Sequence, residues 1–121
     1  MVHPIRVLVV DDDAAIRESI AELLAGFGIQ TKVANNGRAA LKMFGNACPF
    51  DVVLADVVMP DIGGVQLAEL LAEKHPQLPV VLMTGRDSMV QGVIDAGAIA
   101  LIKPFTALQL KRILDDVLEL D

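Results

Sequence analysis

Residues 7–17 read VLVVDDDAAIR, an aliphatic, Val-rich run followed at once by Asp11, Asp12 and Asp13. The apolar run suits a buried strand and the continuation suits a helix. Packing alone wants none of the three carboxylates. An acidic side chain at a helix N-terminus gains about 0.3–1 kcal/mol, which accounts for one aspartate, most simply Asp13, and poorly for three. Two like charges about 4 Å apart repel by about 4 kcal/mol at an effective dielectric near 20, so carboxylates held that close need a cation. Hard oxygen ligands of this kind suit Mg²⁺, which takes one or two carboxylates, keeps several waters and leaves room for a phosphate oxygen.

The same pattern recurs along the chain. Five apolar runs, at 5–10, 29–34, 50–55, 79–83 and 99–102, alternate with segments of helical spacing, such as Ile16, Ile20, Leu23 and Phe27 in the first and Leu110, Ile113, Leu114 and Val117 in the last. Runs one, three and four are apolar at nearly every position, as parallel strands covered on both faces must be; run two alternates and belongs at an edge. Right-handed crossovers then give an α/β fold with an open, doubly wound parallel sheet. Thr106-x-x-Gln109 and Ser88-x-x-Gln91 fit capping boxes, and Asn36 precedes Gly37 where the second helix should start.

With 121 residues and 54% hydrophobic content the chain supports one core, so a single domain over 1–121 is expected. The net charge of -6 and a pI near 4.7 argue against a nucleic-acid face. There is no basic leader and no apolar stretch near the roughly 20 residues that span a bilayer, so a cytoplasmic protein without membrane insertion is expected. Cys48, the only cysteine, rules out an internal disulfide or a cysteine-based zinc site and reads as a small residue before Pro49. His3, in the N-terminal arm, and His75, before Pro76 at an expected helix C-terminus, read as structural or solvated. Met43, Met59, Met83 and Met89 read as packing residues.

In sheets of this kind ligands sit at the carboxyl ends of the strands. Asp11, Asp12 and Asp13 follow run one, Asp56 follows run three, Thr84 run four and Lys103 run five. Asp56 closes FDVVLAD and opens VVMPDIGG, whose Pro and Gly pair mark a tight loop. Lys103 lies just ahead of a helix N-terminus, the wrong pole for a cation, and so needs a negative partner. A nucleotide-binding module on this architecture wants a Gly- or Ser/Thr-rich loop after the first strand, where three carboxylates would repel phosphate.

Through LVVDDD, DVVLADVVMP, VVLMTG and LIKPF, in that order, the sequence resembles the receiver domain of bacterial two-component response regulators over essentially its whole length, and is similar to single-domain chemotaxis regulators. The resemblance implies a flavodoxin-like (βα)5 fold of strand order 2-1-3-4-5, and a signalling switch rather than an enzyme. It implies that Asp56 accepts a phosphoryl group from a sensor histidine kinase or a histidine phosphotransfer protein. Asp11, Asp12, Asp56 and the backbone carbonyl of Val58 would then hold Mg²⁺. Lys103 would pair with Asp56 and later with a phosphoryl oxygen, the Thr84 hydroxyl would swing to another, and the Lys103-Pro104 bond would be cis. Phosphoryl transfer through a loose transition state asks mainly for positioning and cationic stabilisation, which these residues offer. Val58 and Arg86, two residues beyond Asp56 and Thr84, occupy positions that tune hydrolysis in the family. Val58 offers the attacking water no hydrogen bond, so a long-lived phosphoryl group is expected. Val58→Asn is expected to shorten its lifetime, read as decay of the phosphorylated intact mass.

Two positions depart from the family's habit. Ala100, three residues before the lysine, stands where many receivers carry Tyr or Phe, so coupling from Thr84 must run through backbone or helix movement. Gly92 falls inside the fourth helix, where glycine costs about 1 kcal/mol relative to alanine; it marks either an easily displaced helix or a close packing contact. The responding surface implied is the fourth helix, fifth strand and fifth helix, with Ala100 leaving a shallow patch for a downstream target protein, in a monomer or weak dimer. The motifs suit a stand-alone regulator, an intermediate phosphate carrier or a receiver from a longer protein. Two rivals are a phosphorylation-independent interaction domain and a phosphatase of the haloacid dehalogenase type. The phosphatase would recruit Asp11 and Asp13, but it leaves DVVMP unexplained and finds a further acidic pair, Asp115 and Asp116, only in the last helix.

Overall fold

The structure, a computed structural model, describes residues 4–118. Strands and helices alternate: β1 (Arg6–Val10), α1 (Ala14–Gly26), β2 (Gln30–Ala34), α2 (Gly37–Lys42), β3 (Val52–Asp56), α3 (Gly64–Lys74), β4 (Val80–Thr84), α4 (Val90–Asp95), β5 (Ile99–Ile102) and α5 (Ala107–Val117), with a 3₁₀ turn at Asp87–Met89 ahead of α4. All four strand pairings are parallel and the order is β2-β1-β3-β4-β5. This is the doubly wound, flavodoxin-like arrangement expected from the alternation.

The reason for the near-continuous apolar runs is visible in the two cores. Alternate strand residues point to opposite faces. Val7, Val9, Leu54 and Met83 pack with Ile20 and Leu24 of α1 and with Leu110 and Leu114 of α5. Leu8, Val10, Val53 and Leu82 pack on the other side with Ala40 of α2, with Leu67 and Leu71 of α3, and with Val93 of α4. Each fully buried Leu contributes about 2 kcal/mol. Only Ala34 of the five β2 residues is buried, as befits a strand at the sheet edge, although the expected alternation of burial is not seen: Val33 is exposed. Met59 and Met83 are buried and Met43 packs against the core, while Cys48 is half-buried with its Sγ donating to the Phe50 carbonyl at 3.2 Å. Among the described residues no helix is long and apolar enough to cross a membrane.

Three helix starts form as the sequence predicts. The Asp13 Oδ1 accepts from the N–H groups of Ala15 (2.9 Å) and Ile16 (3.2 Å), and the Asn36 Oδ1 accepts from Ala39 at 2.7 Å. Thr106 and Gln109 make a reciprocal capping box at 3.1 and 2.8 Å. The box expected at Ser88 does not form. Ser88 lies inside the 3₁₀ turn, and the residue that caps α4 is Met89, in a helical conformation with no side-chain bond. A capping side chain needs extended backbone directly ahead of the first turn. Gln91 turns instead along the helix, its Nε2 donating to Asp95 at 2.8 Å.

Gly92 is exposed, and a Cβ at this position would meet nothing within 4 Å, so the close-packing explanation falls. Gly92→Ala should therefore add about 1 kcal/mol of stability from helix propensity alone. In a chain of this size that raises the midpoint of thermal unfolding by about 4 °C. A melt that moves down would show a contact absent from this structure.

Candidate functional site

The first carboxylate arrives by continuation of β1. The Asp11 N–H donates to the Ala34 carbonyl at 3.2 Å, extending the β1/β2 ladder by one residue and carrying the side chain to full burial. Its Oδ1 accepts from the Asp13 N–H at 2.9 Å, while its Oδ2 is buried with no partner. From the second turn of α1 the Arg17 Nη1 donates to the Asp11 carbonyl at 2.8 Å, fixing the backbone between strand and helix. Asp12 is exposed and Asp13 is engaged as the helix cap.

Asp56 is the last residue of β3. Its Oδ1 accepts from the Val58 N–H at 3.1 Å and its Oδ2 from the Lys103 Nζ at 3.0 Å. The side chains of Lys103 and Asp56 are 27% and 14% exposed, so this ion pair is largely withdrawn from water. Lys103 is itself placed by its N–H, which donates to the Thr84 carbonyl at 2.8 Å, and the bond to Pro104 is cis as expected. Carboxylate oxygens of Asp11, Asp12 and Asp56 lie within 4.8 Å of one another.

Three carboxylates thus face one ammonium. Burial pushes the Asp11 carboxyl above its usual range, and the charges of Asp56 and Asp12 push the same way, against the Asp13 N–H and Lys103. The donor set is all oxygen, two of its members are shielded, and one buried lone-pair site has no partner in the protein. That chemistry fits a small divalent cation.

A carboxyl whose folded-state pKa is raised favours folding while it is protonated, and that contribution is lost as pH rises through the raised value. Without divalent cation, Asp11→Asn should therefore raise the unfolding midpoint at pH 7 and raise it less at pH 4. Thermal melts of both proteins at the two pH values test this. An equal shift at both would assign the effect to packing rather than to charge.

Thr84, the last residue of β4, is 3% exposed. Its Oγ1 accepts from the Arg86 N–H at 3.1 Å and donates to the Arg86 carbonyl at 3.4 Å, so the hydroxyl is committed to the loop after β4 rather than to Asp56. Arg86 is exposed, as is Val58, at 60%. Ala100 is half-buried against the cluster around Leu82 and Val93. His75 caps the C-terminus of α3 with its ring 5.3 Å from Phe44, at the opposite end of the strands from Asp56; His3 lies outside the described residues. Asp115 and Asp116 are on α5, and Asp13 spends its carboxylate on the cap, so the haloacid dehalogenase arrangement is not assembled.

Two positioning elements escaped the sequence reading. Arg17 carries no signal as a lone arginine in an amphipathic helix. Gly64 was visible only as half of a loop glycine pair, yet a Cβ there would stand 2.4 Å from the Asp56 carbonyl oxygen and 2.9 Å from the Val57 Cα. The first turn of α3 rests directly on the peptide of Asp56, and the Gly64 N–H donates to the Val57 carbonyl at 2.9 Å.

Comparison with known proteins agrees with this geometry. The family described as response regulator receiver domain matches residues 7–115. The response regulator MprA of Mycolicibacterium vanbaalenii is 40% identical over 97 residues, 78% of this chain but 42% of that protein, so the chain spans less than half the length of such curated relatives. Among solved structures, the receiver domain of NtrX from Brucella abortus aligns with a TM-score of 0.86 at 30% identity, covering 95% of this chain and 99% of that one. Chemotaxis protein CheY4 of Vibrio cholerae aligns with a TM-score of 0.86 at 29% identity and the same coverage, 95% and 99%.

Proposed function

The chain belongs to the response regulator receiver domains, signalling proteins rather than enzymes, and from that premise we propose that it accepts a phosphoryl group on Asp56 from a phosphohistidine. The observation that carries this is the Asp56 carboxylate held between the Val58 N–H and the Lys103 ammonium, beside the two further carboxylates of Asp11 and Asp12. A carboxylate oxygen of Asp56 attacks phosphorus; a P–O bond forms as the P–N bond to the donor imidazole breaks, and the electron pair returns to the ring nitrogen. Asp11, Asp12, Asp56 and the Val58 carbonyl would hold Mg²⁺, which when bound neutralises charge on the phosphoryl oxygens. Lys103 supplies the second positive charge from the other side of Asp56.

The Thr84 hydroxyl now bonds the Arg86 backbone. In the phosphorylated state it would trade the Arg86 carbonyl for a phosphoryl oxygen, which pulls on the loop leading into α4. That helix is six residues long, contains Gly92 and lacks a side-chain cap, so beyond the buried Val93 little in the helix itself resists its displacement. With Ala100 in β5 no ring is available to move inward, and the response passes through α4 itself. Ile94, Ile99, Ile102 and Leu108 are exposed on α4, β5 and α5 and offer apolar side chains to a target protein. A swing from 1:99 to 99:1 between the two states needs about 5.5 kcal/mol of differential stabilisation. The natural donors are a sensor histidine kinase or a histidine phosphotransfer protein, in the cytoplasm, and the domain acts as a monomer or weak dimer without touching nucleic acid itself. Val58 and Arg86 set the lifetime of the acyl phosphate.

The test is incubation with Mg²⁺ and acetyl phosphate followed by intact mass. A gain of one phosphoryl group, reversed by hydroxylamine as an acyl phosphate must be, supports the reading. No gain, together with no binding of beryllofluoride, would return the domain to phosphorylation-independent interaction.

A further inference from the structure

The loop at 57–63 carries Val58, the donor to Asp56, and its outer half is tied to α2 rather than to the sheet. Asp61 sits at φ 68°, in the left-handed region where glycine is at ease and other residues are strained. Its carboxylate is gripped by Arg38 with two prongs, Nε to Oδ2 and Nη2 to Oδ1, the second at 3.4 Å. One residue on, Ile62 is only 7% exposed and lies so close to Gly37 that a Cβ there would be 2.9 Å from the Ile62 Cβ and Cγ2. Gly37 and Arg38 are the first two residues of α2, so one helical turn holds the loop by an apolar contact inside and an ion pair outside. Asp12 and Asp61 border the same cleft as Arg38. Glycine would take the backbone angle at 61 without strain; what aspartate adds is the carboxylate that Arg38 holds.

Building on the phosphoryl-accepting reading, we propose that Arg38 is a positioning residue of the Asp56 site. By holding Asp61 it keeps the loop at 57–63 closed down on β3, so that the Val58 N–H stays on the Asp56 Oδ1 and the Val58 carbonyl stays available to a divalent cation. When the tether is released, the outer loop regains backbone freedom, and Asp56 spends part of its time without the donor that orients it. Ile62 against Gly37 keeps the loop folded, so the consequence is a loosened site rather than an unfolded one.

The experiment uses Asp61→Asn, which keeps size and tolerance of the left-handed angle but removes the charge, Arg38→Met, which keeps the stem, and Arg38→Lys, which keeps the charge. Mg²⁺ affinity is read from amide shifts in a MgCl₂ titration, and the solvent-exchange rate of the Val58 amide is read without metal. An exposed ion pair supports effects of about threefold: Asp61→Asn and Arg38→Met should bind Mg²⁺ that much more weakly and exchange the Val58 amide that much faster, with Arg38→Lys intermediate. Parental values for both measurements in both variants would overturn the proposal. So would a lowered melting temperature with no selective change at Val58, the mark of a purely structural pair. If the parent itself takes neither Mg²⁺ nor phosphate, the phosphoryl-accepting reading fails, and the Val58 exchange rate still decides the tether.

Discussion

Asp56→Asn should leave the protein at its unmodified mass after incubation with acetyl phosphate and Mg²⁺, while the parent gains one phosphoryl group. The amide oxygen lacks the charge and nucleophilicity to attack phosphorus, and no neighbouring carboxylate substitutes for it. Asp11 is buried with one oxygen bound to the Asp13 N–H, and Asp12 is not paired with Lys103. Loss of the negative partner leaves the Lys103 ammonium partly buried without its ion pair, but it also removes one of three mutually repelling carboxylates. These effects oppose, so the fold should survive with a stability change within about 1 kcal/mol. A variant that still gains phosphate would move the acceptor to another residue, which peptide mapping would identify.

Gly64→Ala should be the most damaging of the Gly→Ala substitutions. The new Cβ would sit 2.4 Å from the Asp56 carbonyl oxygen, and the atom it meets is backbone, which cannot rotate away as a side chain would. Relief requires α3 to lift from β3 or the Asp56 peptide to tilt. Overpacking of this kind costs about 1–3 kcal/mol or somewhat more, which in a chain of this size lowers the melting midpoint by about 10 °C. Because the displaced peptide is that of Asp56 itself, phosphorylation by acetyl phosphate should slow by about a hundredfold in protein that remains folded, since an ångström of misplacement at a reacting group has effects of that order. Gly92→Ala is the control: the same substitution on the open face of α4 stabilises. If the two variants behaved alike, the close approach at Gly64 would not be the cause.

The placement of the candidate site was legible because its residues stand at strand ends. Once the apolar runs are recognised as parallel strands, Asp11, Asp56, Thr84 and Lys103 must emerge on one edge of the sheet, whatever the details of packing. The helix starts at Asp13, Asn36 and Thr106 were equally local, since a cap is a contact between a side chain and an N–H two or three residues on. The Ser88 box failed for a competing local reason: the chain leaving β4 bonds its Thr84 hydroxyl to Arg86 and enters a 3₁₀ turn, so Ser88 is not in the extended conformation a cap requires.

Composition and periodicity by themselves determined that this is an α/β fold of five strands, three of them covered on both faces, and that four chemical positions share its carboxyl edge, because burial repeats along the chain and is written residue by residue. Only the tertiary structure decided how that edge is held. That Gly64 has no room for a methyl group, that Gly37 presses on Ile62, that Arg38 reaches Asp61 and that Arg17 secures Asp11 depend on where the helices cross the sheet, to within an ångström. Those distances are set by the packing of three layers as a whole, and close packing in an interior is a property of all its side chains together.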